Sequence, residues 1–198
     1  YNIQTNTEVY KQGIFTAPAI KAESSQKMIS AAYTKTTAFL EDKKFVVSLG
    51  GDHSVAIGPI RAHANFYKNI SILHLDAHAD ARDSYQGNTF SHACVIARAQ
   101  EVVDTIISVG IRSMDISERT AWKHGNLFLA EEIYHAGNKW IPQVVKRLGE
   151  KVYITIDVDV FDIGLMPSTG TPEPGGLDWY QVDDLMRAVC KSKDVVGF

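Results

Sequence analysis

Three short apolar segments of the chain each run directly into acidic or imidazole side chains. The segments are residues 45–49, 70–75 and 152–156, and they lead into Gly-Gly-Asp-His-Ser (50–54), Asp-Ala-His-Ala-Asp (76–80) and Asp-Val-Asp (157–159). Near-continuous apolar runs of this length are typical of strands that are buried on both faces of a parallel sheet. Packing alone does not explain three such strands that all end in potential metal ligands, so the sequence predicts a functional site.

Segments with helical periodicity alternate with the apolar ones. The predicted helices cover residues 24–41, 54–67, 91–100, 115–123, 138–148 and 178–190, and two further strands cover 105–111 and 127–129. This alternation predicts a parallel α/β sheet with helices on both faces. We expect Asp178 to cap the last helix and Gly58-Pro59 to delay the start of the second, and we expect residues 1–15 to form a loop.

The ends of the chain are unusual for a domain. The length of 198 residues allows one domain, but the chain opens on Tyr1 rather than methionine, and residues 194–198 have the character of a strand that is just beginning. We therefore expect a single domain, residues 1–198, that is truncated at both ends.

The spacing of the polar residues favours a metal site. Asp76, His78 and Asp80 follow the pattern i, i+2, i+4, which in extended backbone puts side chains on one face, about 6.5–7 Å apart per step, and Asp157 and Asp159 repeat it. Ligands of parallel sheets bind beyond the carboxyl ends of the strands, where these residues and His53 would meet. Four clustered carboxylates are costly unless cations neutralise them, and two divalent ions would do so. A thiol-free, oxygen-rich set suits a hard ion such as Mn²⁺.

Each motif by itself has a simpler interpretation. Asp-Xaa-His alone is usually a solvated loop, and Asp52 could cap a helix. Residues 157–162 could begin a calcium loop, but an EF-hand needs glycine and glutamate where Asp162 and Ser168 stand. Dinuclear metallophosphatases carry Asp-Xaa-His before Gly-Asn-His, the reverse of the order here, and haloacid-dehalogenase-like phosphatases need another residue type at Phe161. The three motifs together favour one metal site.

The remaining histidines receive different interpretations. We expect His63, His124 and His135 to be surface or helix residues, and His74 to be a hydrogen-bonded core histidine. His92 lies in the loop after the Asp-Ala-His-Ala-Asp motif, where it could be a neighbour of a helix cap or a proton carrier.

Composition excludes several classes of protein. The net charge of -3 and the lack of a basic block argue against a nucleic-acid partner. No apolar stretch is long enough to span a membrane, and residues 1–20 lack a signal pattern. The two cysteines, Cys94 and Cys190, are far apart and are predicted to be free thiols in a reducing compartment, the cytoplasm.

Together the motifs resemble those of the ureohydrolase family, which includes arginases, agmatinases, formiminoglutamases and guanidinobutyrases. The resembling pieces are residues 50–54, 76–80, 109–113, 156–162 and 167–176. The resemblance implies an arginase-like three-layer α/β/α sandwich with a central, mainly parallel sheet and two Mn²⁺ ions per chain. By position, one ion would be bound by His53, Asp76, Asp80 and Asp157, and the other by Asp76, His78, Asp157 and Asp159.

The resemblance also implies a reaction. A metal-bridging hydroxide would attack the guanidinium carbon, Asp80 would accept or relay a proton, and His92 would occupy the position of the proton-shuttle histidine. The substrate would be a small guanidino compound, with Asn88 and Ser91 as candidates for contact with it. The family tends towards trimers and hexamers, which implies a homo-oligomer.

Two segments resemble the agmatinase branch. Arginases carry Ser-Gly-Asn-Xaa-His-Gly after the metal motif, whereas residues 87–93 here are Gly-Asn-Thr-Phe-Ser-His-Ala, and residues 169–176 are also agmatinase-like. The expected reaction is agmatine to putrescine and urea, a step of polyamine biosynthesis. Activity on arginine or guanidinobutyrate, or a catalytically silent regulatory subunit, remain alternatives. Ile163, Met166 and Ser168 depart from the family's usual residues, and the family's guanidinium-binding glutamate and first strand have no counterpart between residues 1 and 198.

Overall fold

The apolar segment 70–75 supplies the central strand of a five-stranded sheet. The computed structural model describes residues 1–122 and 125–198. The strands are β1 (Ser71–Leu75), β2 (Thr105–Ile111), β3 (Leu127–Leu129), β4 (Lys151–Ile156) and β5 (Asp194–Gly197). The helices are α1 (Ser25–Glu41), α2 (Ile57–Phe66), α3 (Val95–Gln100), α4 (Ala130–Ala136), α5 (Ile141–Arg147) and α6 (Trp179–Ser192). Short 3-10 helices cover Val9–Gln12, His53–Ala56, His92–Cys94, Ile116–Ala121, Gly137–Trp140 and Val158–Val160.

The strand order creates a switch point in the sheet. All paired strands are parallel and lie in the order β3-β2-β1-β4-β5. The chain builds the sheet outward from β1 through β2 and β3, and then returns to the other side of β1 with β4. Loops that leave the carboxyl ends of β1 and β4 therefore diverge and open a crevice between them, which is the usual ligand position in such sheets.

Alternate side chains of β1 face opposite helical layers. Ile72 packs into a cluster with residues of α1, α2 and α3, among them Ile29, Ile57, Ile60 and Ile96. Leu73 and Leu75 pack into a second cluster with residues of α4, α5 and α6, among them Ile133, Val144 and Leu185. Each fully buried Ile or Leu contributes about 1.5–3 kcal/mol. The predicted three-layer α/β/α architecture is confirmed.

Local signals fix the two longest helices where they were predicted. Ser24 accepts the backbone N–H of Lys27 at the start of α1. Asp178 accepts the backbone N–H of Gln181 at 2.8 Å, and the Gln181 side chain accepts the N–H of Asp178 at 2.9 Å, which completes a capping box at α6. The start of α2 is delayed to Ile57, as expected, by a 3-10 turn ahead of it.

The prediction of a buried strand at residues 45–49 is wrong. Val46 makes a single parallel bridge to Gly197, and the Ser48 N–H donates to the Phe198 carbonyl at 2.8 Å. The side chains of Phe45 and Leu49 are 58% and 89% exposed. The segment runs along β5 at the edge of the sheet, and none of the described helices covers its outward side chains.

Two helical predictions also need correction. Residues 138–148 form a 3-10 turn followed by the shorter α5, and the preceding helix α4 was not predicted. Gly137, at φ +54°, is the first residue of this 3-10 turn and directly follows α4. Pro142 lies in the first turn of α5, where a backbone N–H would have no partner within the helix. The predicted helix 115–123 is a 3-10 helix at Ile116–Ala121, and Lys123 and His124 lie outside the described residues.

Other predictions concern the surface and the thiols. Within the described part of the chain, no helix is long and apolar enough to cross a membrane. Both Cys94 and Cys190 are free thiols, as predicted. Residues 1–15, predicted as loop, include one 3-10 turn.

Gly110 allows the end of β2 to approach the two loops that carry the polar motifs. Its φ is +94°, and a Cβ there would lie 2.6 Å from Val160 Cγ2 and 3.1 Å from the Asp76 carbonyl oxygen. The pairing of β2 with β3 shifts register between Val109 and Ile111, around this glycine. A side chain would therefore meet both backbone strain and a clash.

We predict that Gly110→Ala lowers the free energy of unfolding by about 1–3 kcal/mol, because alanine adopts this backbone conformation at a cost and its Cβ displaces Val160. Urea denaturation measures the change. Gly170→Ala is the control, since a Cβ at Gly170 meets no atom within 4 Å. Equal effects of the two substitutions would contradict the prediction.

Candidate metal centre

The predicted ligands begin where β1 and β4 end. Asp76 directly follows β1, and its N–H donates to the Val109 carbonyl of β2 at 3.1 Å. Asp157 directly follows β4, and its N–H donates to the Leu75 carbonyl at 2.9 Å. Sheet-like hydrogen bonds thus continue for one residue beyond each strand and hold both aspartates in the crevice of the switch point.

Asp76 lies at the centre of the site. It is 1% exposed, and its Oδ2 lies 2.9 Å from His53 Nδ1 and 2.9 Å from His74 Nε2. Its Oδ1 accepts the backbone N–H of His78 at 2.6 Å and lies 3.4 Å from His78 Nδ1. The two oxygens of one carboxylate therefore face two different sets of side chains.

The first set gathers around His53, at the start of a 3-10 helix. His53 Nδ1 lies 2.9 Å from Asp76 Oδ2, 3.1 Å from Asp80 Oδ2 and 3.8 Å from Asp157 Oδ2. Its Nε2 lies 2.8 Å from Thr155 Oγ1 of β4, which fixes the ring. These four residues are the set that the family resemblance assigns to one ion.

The second set gathers around His78. Its Nδ1 lies 3.1 Å from Asp159 Oδ2 and 3.4 Å from Asp76 Oδ1. The other oxygen of Asp159 accepts the Ala77 N–H at 3.0 Å, and Asp157 Oδ1 accepts the Asp159 N–H at 3.1 Å. All six predicted metal ligands therefore come together, and Asp76 belongs to both sets.

Two groups of donor atoms are close enough for each to bind one ion, and neither group includes Asp157. The mutually close groups are His53, His74, Asp76 and Asp80, and Asp76, His78 and Asp159, with all donor atoms of a group within 4.8 Å of one another. Oxygen and imidazole donors without thiolate match hard divalent ions. The donor set thus fits a pair of such cations.

The backbone departs from the extended geometry that the i, i+2, i+4 argument assumed. β1 ends at Leu75, and Asp80 has a left-handed backbone with φ +49°. The Asp80 carbonyl accepts the N–H groups of Ile96 and Ala97 at the start of α3, at 2.8 and 3.4 Å. The fold holds this aspartate in a turn, and strain of this kind is common at functional sites.

Clustering of negative charge perturbs the carboxylates. Burial, reinforced by the charge of Asp76, raises the pKa of Asp80 and of Asp157. Burial also favours the neutral form of Asp76, but hydrogen bonds from the neighbouring imidazoles outweigh it and hold its pKa well below the usual range. Asp76 therefore keeps its negative charge, and this charge makes ionisation of Asp80 and Asp157 harder.

The imidazoles compensate this charge when no cation is bound. Hydrogen bonds to Asp159 and Asp76 raise the pKa of His78 to about 10. Burial lowers the pKa of His53, but bonds to Asp76 and Asp80 overcome it and leave the pKa well above its usual value. Protonated His53 and His78 would thus offset part of the negative charge of the aspartates.

Arg112 fastens the loops on either side of the site, a role that the sequence did not predict. Its guanidinium donates to the main-chain carbonyls of Gly110 at 3.1 Å, Asp159 at 2.5 Å and Glu173 at 3.0 Å. The Glu173 carboxylate then lies 3.8 Å from His78 Nε2. Arg112 stands in the Val-Gly-Ile-Arg-Ser motif, but its partners are backbone atoms, which leave no trace in a residue pattern.

The other predicted site residues lie on the loop after β1. His92 is half-buried, and its described contacts are with Ser91 Oγ at 3.4 Å and the ring of Tyr85, while its 3-10 helix packs beside the one that carries His53. Asn88 is exposed and bonds to Ser25 Oγ and the Phe90 N–H. The roles of His92, Asn88 and Ser91 stay predictions.

Comparison with known proteins agrees with this geometry. The model of the Arginase family matches residues 1–198. The chain belongs to the arginase family. Arginase-family proteins depend on a binuclear metal centre, and the two ligand sets around Asp76 are the candidates for it here.

Similar proteins include enzymes that act on several guanidines. This arginase-family chain is 43% identical over 178 residues to the N(1)-aminopropylagmatine ureohydrolase of Thermus thermophilus, covering 89% of this chain and 59% of that protein. It is 35% identical to the agmatinase of Pyrococcus horikoshii, over 83% and 56% of the two chains. The crystal structure of agmatine ureohydrolase of Thermoplasma volcanium superposes with a TM-score of 0.80 at 32% identity, over 91% and 61%. The chain thus spans about three fifths of the length of these relatives.

We predict opposite effects of Asp157→Asn with and without metal. The substitution removes one of the clustered charges but keeps the oxygen that accepts the Asp159 N–H, so the Tm of the metal-free protein should rise. The stabilisation by Mn²⁺ should shrink, because a ligand charge is lost. Differential scanning calorimetry with and without Mn²⁺ measures both.

Asp162→Asn is the matched control on the same loop. Asp162 accepts the Gly164 N–H at 2.9 Å and is not one of the six ligands, so its variant should keep the full Mn²⁺ effect. If Mn²⁺ raises the Tm of Asp157→Asn as much as that of the parent protein, Asp157 is not a ligand of the candidate centre.

Proposed function

We propose that the full-length protein hydrolyses the guanidino group of agmatine, releasing putrescine and urea, with two Mn²⁺ ions as cofactors. The observation that supports this most is the convergence of His53, His78 and four aspartates at the switch point of the sheet. Enzymes named agmatinase among the relatives support the substrate.

The ligand assignment follows the two sets around Asp76. His53, Asp76, Asp80 and Asp157 would hold one ion, and Asp76, His78, Asp157 and Asp159 the other, with Asp76 and Asp157 shared. When bound, two divalent cations would lower the pKa of water and supply a nucleophile at neutral pH.

The chain's own residues orient the reactants and move protons. The Glu173 carboxylate, at the rim of the site, attracts a guanidinium cation. The hydrogen bonds from Arg112 to main-chain carbonyls keep the loop that carries Glu173 against the site. Asp80 is buried beside His53, and its carboxylate would accept a proton and return it to the departing amine. His92, on the neighbouring 3-10 helix, would exchange that proton with solvent.

The cations beside the site favour a substrate without a carboxylate. Arg112 is engaged with main-chain carbonyls, and Arg82 lies 3.6 Å from Asp115 and 3.8 Å from Glu118 while it stacks on Tyr85. Neither guanidinium is free to pair with the α-carboxylate of arginine, a group that agmatine lacks.

N(1)-aminopropylagmatine is a second candidate substrate. The relative from Thermus thermophilus, at 43% identity, carries this activity in its name. The substrate bears an additional amine, and the Glu173 carboxylate, 37% exposed at the rim, could pair with it. Loss of urea from this compound would release spermidine in place of putrescine.

Urea release from the Mn²⁺-loaded, full-length protein tests the proposal. Agmatine, N(1)-aminopropylagmatine, arginine and 4-guanidinobutyrate are compared in parallel, with Asp157→Asn as the inactive variant and Asp162→Asn as the control. We expect the highest kcat/KM with agmatine. Preference for another guanidine would keep the reaction but overturn the substrate, and no urea from any of them would favour the regulatory-subunit alternative.

We predict that His92→Asn lowers kcat by about 100-fold and leaves the Mn²⁺ affinity unchanged, because a proton carrier acts on the reaction and not on the ions. Steady-state kinetics and a Mn²⁺ titration measure the two quantities. His135→Asn, at an exposed position of α4, is the control and should match the parent protein. Unchanged kcat in His92→Asn would end the shuttle assignment.

Cytoplasmic location and assembly as a trimer or hexamer stay predictions. The two free thiols support a reducing compartment. Mass photometry of the full-length protein would measure the assembly.

A further inference from the structure

A buried line of polar side chains leads from β2 through β1 to the candidate centre. Ser108 Oγ lies 2.8 Å from His74 Nδ1, and His74 Nε2 lies 2.9 Å from Asp76 Oδ2. Ser108 and His74 are both 0% exposed and are directly opposite each other in the register of the two strands. Neither is one of the six predicted ligands.

Burial of Ser108 and His74 in the middle of the sheet costs free energy. Burying a hydroxyl or an imidazole costs free energy unless its polar atoms are hydrogen-bonded, and the neighbours on both strands are apolar. Here both ring nitrogens of His74 have partners, and the line ends on the carboxylate shared by the two ligand sets. Its position, therefore, is explained by what it does to Asp76 better than by packing.

The Asp76 carboxylate, at the end of the line, decides which atom donates and which accepts in each hydrogen bond. An ionised carboxylate only accepts, so Nε2 of His74 carries the proton and donates to Asp76 Oδ2. In the neutral ring Nδ1 then accepts, and the donor is the Ser108 hydroxyl. The Asp76 carboxylate thus fixes the tautomer of His74, and the Ser108 hydroxyl satisfies the other ring nitrogen.

His74 could instead be a metal ligand, since it lies within reach of His53, Asp76 and Asp80. Coordination through Nε2 would replace the bond to Asp76, as coordination through Nδ1 of His53 would, so this bond does not distinguish the two roles. The bond of Nδ1 to Ser108 does, because it makes the ring the middle of a line that ends on Asp76. The ring also stacks on His53, with centroids 5.3 Å apart, which holds it beside that ligand. The geometry favours a residue that supports a ligand.

We propose that Ser108 and His74 are positioning residues that set the rotation of the Asp76 carboxylate. With Oδ2 held on the side of His53, Oδ1 faces His78, and one carboxylate can serve both ions. The inference rests on the two-ion centre of the proposed function and not on the identity of the substrate.

The test is a Mn²⁺ titration of Ser108→Ala, His74→Leu and His74→Gln in the full-length protein, followed by electron paramagnetic resonance. Free Mn²⁺ gives the affinity, and the exchange-coupled signal reports a pair of ions that share a bridge. We expect about 10-fold weaker binding in Ser108→Ala. In His74→Leu we expect 10–100-fold weaker binding with loss of the coupled signal. His74→Gln keeps an N–H donor near the Nε2 position and should restore the coupled signal.

Ser71→Ala is the control for general damage to the core. Ser71 is a buried hydroxyl on the same strand, and it accepts the Gly149 N–H at 2.7 Å, far from the ligands along β1. This variant should lower the Tm but keep the affinity and the coupled signal. If His74→Leu does not fold, Ser108→Ala decides, because it removes only one oxygen.

The outcomes separate the inference from the proposed function. A parent protein that binds no ion pair would overturn the proposed function. A parent with a coupled pair that is unchanged in Ser108→Ala and His74→Leu would overturn only the positioning role. If both His74 variants lose one ion and Ser108→Ala loses no ion, His74 is a metal ligand. This result would also overturn the positioning role.

Discussion

Burial of Asp76 is the constraint on which the rest of the site depends. An ionised carboxylate that is 1% exposed must be hydrogen-bonded or neutralised, and Asp76 meets this need with imidazoles on one oxygen and a backbone N–H on the other. The strand order makes the arrangement possible, because loops diverge between β1 and β4. Asp157, which directly follows β4, lies in the same crevice.

The sequence predicted those parts of the fold whose signals are local. The apolar run of β1, the helix at 24–41 and the cap Asp178 depend on neighbouring residues, and the structure agrees with them. Residues 45–49 have the same apolar character but lie at the edge, because burial depends on what packs on a strand and not on its composition. Helix α4 was missed because it is only 7 residues long, although its acidic first turn is a signal for the start of a helix.

The ligands were predictable and their supports were not. The six ligand candidates stand in compact motifs. They come together in the structure even though the backbone of Asp80 is left-handed and not extended, as the spacing argument assumed. His74 was correctly expected to be a hydrogen-bonded core histidine, but its partner Ser108 is 34 residues away and is fixed only by the register of β1 on β2. Likewise Arg112 contacts main-chain carbonyls, which any residue would supply.

Arg112 explains why the departures from the family pattern leave the candidate centre intact. Ile163 and Ser168 lie on exposed parts of the loop between β4 and α6, while Met166 packs against the core. Arg112 donates to carbonyls on both sides of them, at Asp159 and at Glu173. Arg112 thus holds the loop at Asp159 and at Glu173, and Ile163, Met166 and Ser168 lie between these two residues. Changes at these residues therefore leave the carboxylates in place, because both ends of the segment are held by Arg112.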